Sequence, residues 1–390
     1  MISFNNTQIA FKHKTNKELN KAYLLFKMVA SPALVSFGKV ATNIALSIHL
    51  PIKGIIKKTI FAQFCGGENI EDCKETIQQL SQSKVGTILD YSVEGKESDV
   101  EFDHTLAEIL ATVTASKNNA SIPFCVFKVS GIAKFSVLEK ISGGIEITKN
   151  DLFDFEETKK RVDKICKSAF ESNTPVFMDA EETWIQPAID QLAEEMMQKY
   201  NKQSAIVYNT LQLYRWDRIE FLKRSHDKSI QNGYYLGLKL VRGAYMEKER
   251  KRASELNYKS PIQPDKNATD KDFDLAVNYC VDHLDKIAFC AGTHNEQSSA
   301  DLAALIDKKG ISKGNKNIYF AQLLGMSDHI SYNLSDAGYN VAKYVPYGPV
   351  KEVLPYLLRR ADENTSVAGQ TTRELGLIMT ERRRRKLKQD

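Results

Sequence analysis

From residue 85 onward the chain repeats one alternation, a short apolar run followed by a stretch with helical spacing. The runs are GTILDYSVE (86–94), FCVFKVSGI (124–132), TPVFMDAEE (174–182), SAIVYNTLQLY (204–214), YLGLKLVRGAY (235–245), KIAFCAGTHN (286–295), NIYFAQLLG (317–325) and NVAKYVPYG (340–348). They are bounded by Gly, Asn, Ser or Pro, and several are rich in Val, Ile, Tyr and Phe, which marks strands. Between them, DFEETKKRVDKICKSAFESN and DFDLAVNYCVDHLDK carry apolar residues at i, i+3 and i+4, and SSADLAALIDKKG has a Ser at its cap position and a Gly at its stop. Parallel neighbours need a long crossover that a helix supplies, so the repetition implies a parallel sheet. Eight units fit a closed (β/α)8 barrel. The alternative, an open doubly wound sheet, usually carries GxGxxG after its first strand, and no such motif occurs. Residues 1–84 read as a helical N-terminal extension packing on the barrel, 85–367 as the barrel domain, and 368–390 as a C-terminal helix with a basic tail.

Composition narrows function more than fold. A net charge of +5 over 390 residues is too small to imply nucleic acid. The six cysteines show no CxxC spacing and the seven histidines no HxxxH pair, so a reduced chain without a metal site is expected. No signal peptide is expected, and a transit peptide is disfavoured because the first arginine is Arg161, so the expected location is the cytoplasm. The distribution of charge is uneven. Residues 1–60 hold nine lysines and one glutamate interleaved with apolar residues. Basic helices resting on the inner face of the membrane and helices packed on a globular body both predict that pattern. The run ERRRRKLKQD reads as a solvated tail, with adhesion to acidic lipid as the sharper alternative.

In a barrel of this kind chemistry collects at the C-terminal strand ends. The polar residues there are Asp90, Lys128, Asp179, Glu181, Glu182, Gln212, Lys239, Arg242, Tyr245, Thr293, His294, Asn295, Gln322 and Tyr344. Lys128 and Asp179 could equally form a structural ion pair, and a lone His294 could equally be a core histidine. In YLLRRADENT (356–365), Val353, Leu354, Leu357, Leu358 and Ala361 share one helical face, while Tyr356, Arg359, Arg360 and Glu363 share another. That second face is either solvated surface or the wall of an anion site. Adding its arginines to Lys128, Lys239 and Arg242 gives a cationic mouth suited to a phosphate or a carboxylate.

Together, FKVSG, VFMDAEE, KLVRGAY (239–245), GTHN (292–295), YVPYG (344–348) and YLLRRADEN (356–364) resemble the proline dehydrogenase family, in order and spacing, from about residue 60 to 367. The resemblance implies a distorted (β/α)8 barrel with its last helix over the mouth, and FAD-dependent oxidation of L-proline. It implies that Arg359 and Arg360 clamp the carboxylate of proline with Lys128, and that Tyr245, Leu323, Tyr344 and Tyr356 wall its ring. It implies FAD contacts from Ala180, Gln212, Lys239, Leu240, Arg242, Gly243, Ala244, Thr293, His294, Asn295, Arg360 and Glu363, with Asp179 and Lys239 in the catalytic centre. Lys239 stands where many bacterial members carry arginine, which keeps the charge and loses the guanidinium fork. A quinone electron acceptor and a separate pyrroline-5-carboxylate dehydrogenase receiving the product are the implied partners. Hydroxyproline is the nearest rival substrate. A colourless barrel lyase or isomerase acting on a phosphorylated substrate is the alternative from another class.

Overall fold

The computed structural model describes residues 2–30, 53–92, 96–366 and 370–386. Its centre is a closed barrel of eight parallel strands in chain order. These are β1 (Val85–Tyr91), β2 (Phe124–Phe127), β3 (Val176–Met178), β4 (Val207–Gln212), β5 (Leu236–Val241), β6 (Ile287–Gly292), β7 (Ile318–Leu323) and β8 (Val341–Tyr347). All eight expected runs therefore contain a strand. Closure comes from β1 on β8, paired from Val85↔Val341 through Tyr91↔Tyr347.

Side chains alternate across each strand, so one set fills the barrel and the other meets the surrounding helices. Inside, Phe124 stacks on Phe177 at 4.4 Å, and Tyr208 and Tyr319 meet Phe124 edge-on at 5.6 and 4.7 Å. Outside, Leu89, Phe127, Met178, Leu211, Leu240 and Phe289 belong to the large core shared with the helices. Following the inward set toward the C-terminal ends leads from Ile88 to Asp90, Val126 to Lys128, Phe177 to Asp179 and Tyr208 to Gln212. The same period carries Lys239, Leu323 and Tyr344 inward. A two-residue repeat thus puts the candidate residues of seven strands in the layer closing the barrel.

The helix Val350–Ser366 follows β8 and packs Val353, Tyr356 and Leu357 against Phe61, Phe64 and Met326, the last just past the end of β7. That placement sets it over the mouth. Its buried face is Val353, Tyr356, Leu357 and Arg360, whereas Leu354 and Leu358 are half-buried. The face expected from the leucines is rotated, because the arginine-bearing side looks inward.

The two ends of the chain clasp each other on the barrel. Asp328, buried at the start of helix Asp328–Asp336, accepts from Lys343 at 2.9 Å and pairs with Lys14 at 3.3 Å. His13 stacks on Tyr332 at 3.9 Å. The C-terminal helix Gln370–Lys386 packs Leu377 and Ile378 onto Phe11, Leu19, Ala22 and Phe26. Here the reading of ERRRRK as a solvated run is corrected. Arg384 and Arg385 both bind the buried Glu381, Arg385 also donates to the carbonyls of Phe11 and Lys14, and Arg382 bonds Asn20. These arginines are fasteners because the backbone carbonyls of Phe11 and Lys14 and one buried carboxylate are within their reach. Within the lysine-rich N-terminal stretch, for which membrane-facing and barrel-packed helices are both expected, residues 31–52 lie outside the described residues.

Candidate active site

Asp179 is the hub of the mouth. It follows β3, and its amide donates to the Phe127 carbonyl at 2.9 Å, which fixes its backbone to β2. One carboxylate oxygen accepts from the Lys239 ammonium of β5. The other accepts from the Tyr344 hydroxyl of β8 at 2.5 Å. The Lys239 ammonium also lies over the Phe177 and Tyr344 rings, at 5.3 and 4.9 Å. Three strands are thereby joined by one charged triad with side-chain exposures of 8% for Lys239 and 13% for Asp179. Phenol donation and cation–π attraction both help to hold the ion pair in a half-dry cavity.

Two more acids line the same layer. Asp90, buried on β1, accepts from Ser92 Oγ at 2.5 Å. Burial raises its carboxyl pKa, opposed first by the Lys128 charge. Glu181 accepts from the Ser130 amide at 3.0 Å and from the Ser130 hydroxyl. Burial pushes it up to about 7, against the pull of those bonds and of Lys128. Its backbone carbonyl accepts from Gln212 Nε2 at 2.7 Å, and its amide donates to Gln186 at 2.8 Å. Glu181 therefore ties the turn carrying Lys128 to Gln212. Glu182 faces the rim, paired with Lys248 at 2.5 Å.

At the β5 and β6 exits, Arg242 is held on all sides. Its Nε donates to Asp270 at 2.7 Å, and its terminal nitrogens donate to Thr293 Oγ1 at 2.6 Å and Ser298 Oγ at 2.9 Å. The guanidinium stacks 4.3 Å from the Phe273 ring. The next two residues, Gly243 and Ala244, are exposed. Gly243 adopts φ +133°, and a Cβ there would sit 2.5 Å from the Tyr214 ring, so only glycine lets the backbone cross that tyrosine. Asn295 caps helix Glu296–Lys308 by accepting from the Ser298 amide. His294 Nε2 accepts from the Leu323 amide at 3.5 Å, and Nδ1 meets Ser327 Oγ at 2.9 Å. Burial, then the charges of Lys343 and Arg360, lowers the His294 pKa to about 3, so the ring is neutral.

Over this layer, the Arg360 guanidinium lies 5.0 Å from the Tyr356 ring, and both side chains are buried. Arg360 acts electrostatically on His294, and Tyr356 on Tyr344, which locates both near the strand ends. Arg359, on the same helix, and Tyr245, at the start of helix Met246–Glu255, are half-buried, as is Leu323. Ala180 adjoins Asp179, half-buried. One expectation changes and one lies outside the described residues. Leu240 alternates outward into the core between strands and helices, so its side chain cannot reach a ligand at the mouth. Glu363 is on the helix Val350–Ser366, but its side chain lies outside the described residues.

The model of the proline dehydrogenase family matches residues 73–373. The chain belongs to the proline dehydrogenase family. It is 34% identical over 322 residues to the carbapenem antibiotics biosynthesis protein CarD of Pectobacterium carotovorum subsp. carotovorum, covering 83% of each chain. It is 30% identical over 426 residues to the mitochondrial proline dehydrogenase 1 of Dictyostelium discoideum, covering 97% of this chain and 74% of that protein. The fold matches proline utilization A from Bdellovibrio bacteriovorus with a TM-score of 0.72 at 19% identity, over 92% of this chain and 38% of that one.

Residues missed in the sequence include Ser327, Lys343, Glu374 and Glu381. The last two had a signal. Glu374, Leu377, Ile378 and Glu381 fall at i, i+3, i+4 and i+7, so two carboxylates share the apolar face of one helix.

Proposed function

We propose that this protein oxidises L-proline to 1-pyrroline-5-carboxylate with FAD as its cofactor. The observation that carries the reading is the triad of Asp179, Lys239 and Tyr344 roofed by the helix of Tyr356, Arg359 and Arg360, in a chain of the proline dehydrogenase family. Gln212, Arg242, the Gly243–Ala244 backbone, Thr293 and His294 would hold FAD, which would supply the two-electron acceptor for the oxidation at proline C5, with a quinone as the final acceptor.

The residues present suit a flavin along the exits of β4, β5 and β6. Gln212 is fixed by Glu181, the Gly243–Ala244 backbone is open, and Thr293 and His294 lie beside it. Arg242 holds these exits together through its bonds to Thr293 and Ser298, and its half-exposed edge suits a ribityl or phosphate oxygen. The protein's work on the substrate is binding and orientation, which need no general base on the carbon being oxidised. Arg359, Arg360 and Lys128 hold the carboxylate. Tyr245, Leu323, Tyr344 and Tyr356 shape the ring pocket and exclude water. Lys239, fastened by Asp179, keeps positive charge where an anionic reduced ring system would need it.

The product imine hydrolyses to glutamate semialdehyde, the substrate class of a separate pyrroline-5-carboxylate dehydrogenase. Among the described residues no helix is long and apolar enough to cross a membrane. A cytoplasmic enzyme meeting quinone at the membrane surface fits the lysine-rich N-terminus, and co-sedimentation with anionic vesicles tests that part.

Anaerobic titration of the purified protein with L-proline tests the central reading. Bleaching of a yellow chromophore is expected, at lower concentrations than with hydroxyproline, on the reading that Tyr344 walls the proline ring and leaves no room for an added hydroxyl. A colourless protein, or a yellow one that proline does not bleach, refutes it.

A further inference from the structure

Between β7 and helix Asp328–Asp336 the chain makes a turn no local rule explains. Ser327 adopts φ +52°, a left-handed conformation that costs a non-glycine residue free energy, and it is fully buried. Contacts from distant parts of the chain bind the turn. Lys343 Nζ donates to the Met326 carbonyl at 2.5 Å, and Gln63 Nε2 donates to the Gly325 carbonyl at 2.9 Å. The Ser327 amide donates to Glu374 Oε2 at 3.2 Å, from the C-terminal helix.

Ser327 Oγ in turn meets His294 Nδ1. The Leu323 amide can only donate, so His294 Nε2 carries the lone pair and Nδ1 carries the proton given to Ser327 Oγ. We propose that Glu374 is a positioning residue for the barrel mouth, holding Ser327 so that its hydroxyl keeps the His294 ring turned with Nε2 toward the Leu323 amide, the orientation in which the neutral Nδ1–H tautomer is selected. The consequence for ligand binding rests on the reading of His294 as a flavin contact. The tautomer does not.

A merely structural role fits Glu374 poorly. Its neighbours on the helix face, Leu377 and Ile378, pack apolar groups, and an apolar residue at 374 would serve packing better than a desolvated carboxyl. Burial raises the Glu374 pKa to about 7, opposed by His329 and Lys343 and aided by Asp328. The fold therefore tolerates an unfavourable burial at the point where one backbone amide needs an acceptor.

The test uses the purified protein labelled with 15N-histidine. Long-range proton–nitrogen correlation reads the tautomer, and His294→Gln assigns the signal. Wild type should show a pure Nδ1–H pattern. Glu374→Leu should convert it to a mixture containing Nε2–H and weaken FAD retention about tenfold, the equivalent of one hydrogen bond of about 1.4 kcal/mol. The tautomer is the readout that a merely structural role would not move. Glu374→Gln retains an oxygen acceptor and should keep both the tautomer and FAD retention. If Glu374→Leu does not fold, Ser327→Ala replaces it and should show the same tautomer mixture. An Nε2–H pattern in wild type, or an Nδ1–H pattern surviving in folded Glu374→Leu or Ser327→Ala, overturns the proposal. A tautomer shift in a protein that carries no flavin would support the positioning role and refute the flavin reading alone.

Discussion

Removing Lys239 should cost more than removing Lys239 and Asp179 together. The Lys239→Met variant leaves the Asp179 carboxylate, only 13% exposed, with the Tyr344 hydroxyl but without its ion pair. Breaking a buried pair from one side costs about 3–5 kcal/mol, because the remaining charge stays desolvated. Adding Asp179→Asn removes that charge and leaves an amide oxygen that can still accept from Tyr344. Unfolding entropy near 2.1 cal/mol/K per residue gives a barrel of roughly 300 residues about 0.6 kcal/mol/K, so the single variant should melt about 5–8 °C below wild type. The double variant should recover at least half of that loss. Calorimetry of wild type, both single variants and the double variant at one pH and scan rate closes the cycle. Additive losses, with the double variant melting lowest, would refute the attribution of the Lys239→Met loss to a desolvated Asp179 charge left without its partner.

The remaining predictions concern the clamp, pH and the clasp. Arg359→Met should raise KM for proline, cutting kcat/KM by about 30-fold or more for a loss of at least 2 kcal/mol, while the flavin absorbance is retained; unchanged KM in steady-state assays would remove Arg359 from the clamp. Glu181 and Glu374 are each raised from 4.5 to about 7 in the folded state, so each favours folding at acid pH and loses that contribution as pH rises through 7. Between pH 6.5 and 8, above the range where the depressed His294 matters, each should cost about 1 kcal/mol, and Glu181→Gln should flatten the fall in melting temperature by about half. Glu381→Ala strands Arg384 and Thr7 and leaves Arg385 only its bonds to the N-terminal segment, and limited proteolysis should then release the C-terminal helix faster than in wild type.

How far the site was legible depended on whether a residue's position followed from period and order. Strand ends are fixed by where an apolar run stops, and inward direction by parity, so Asp90, Lys128, Asp179, Gln212, Lys239 and Tyr344 were legible as one layer. Leu240 was misplaced because its neighbours Lys239 and Val241 straddle the inward parity and the resemblance covered the whole stretch. For YLLRR the helical pattern alone left the arginine face open between solvated surface and the wall of a site, because hydrophobicity assigns leucines inward, whereas this helix covers polar strand ends and buries Tyr356 and Arg360.

The sequence by itself determined the eightfold strand–helix alternation, the parallel barrel and the family, since these rest on local periods and on motif order along the chain. Only the tertiary structure decided that Asp179 pairs with Lys239 and Tyr344, that the arginines of the C-terminal helix fasten the two ends, and that Glu374 reaches Ser327. Partner choice among buried charges depends on distances between residues far apart in sequence. Those distances are set by barrel closure and helix packing, and no local pattern encodes them.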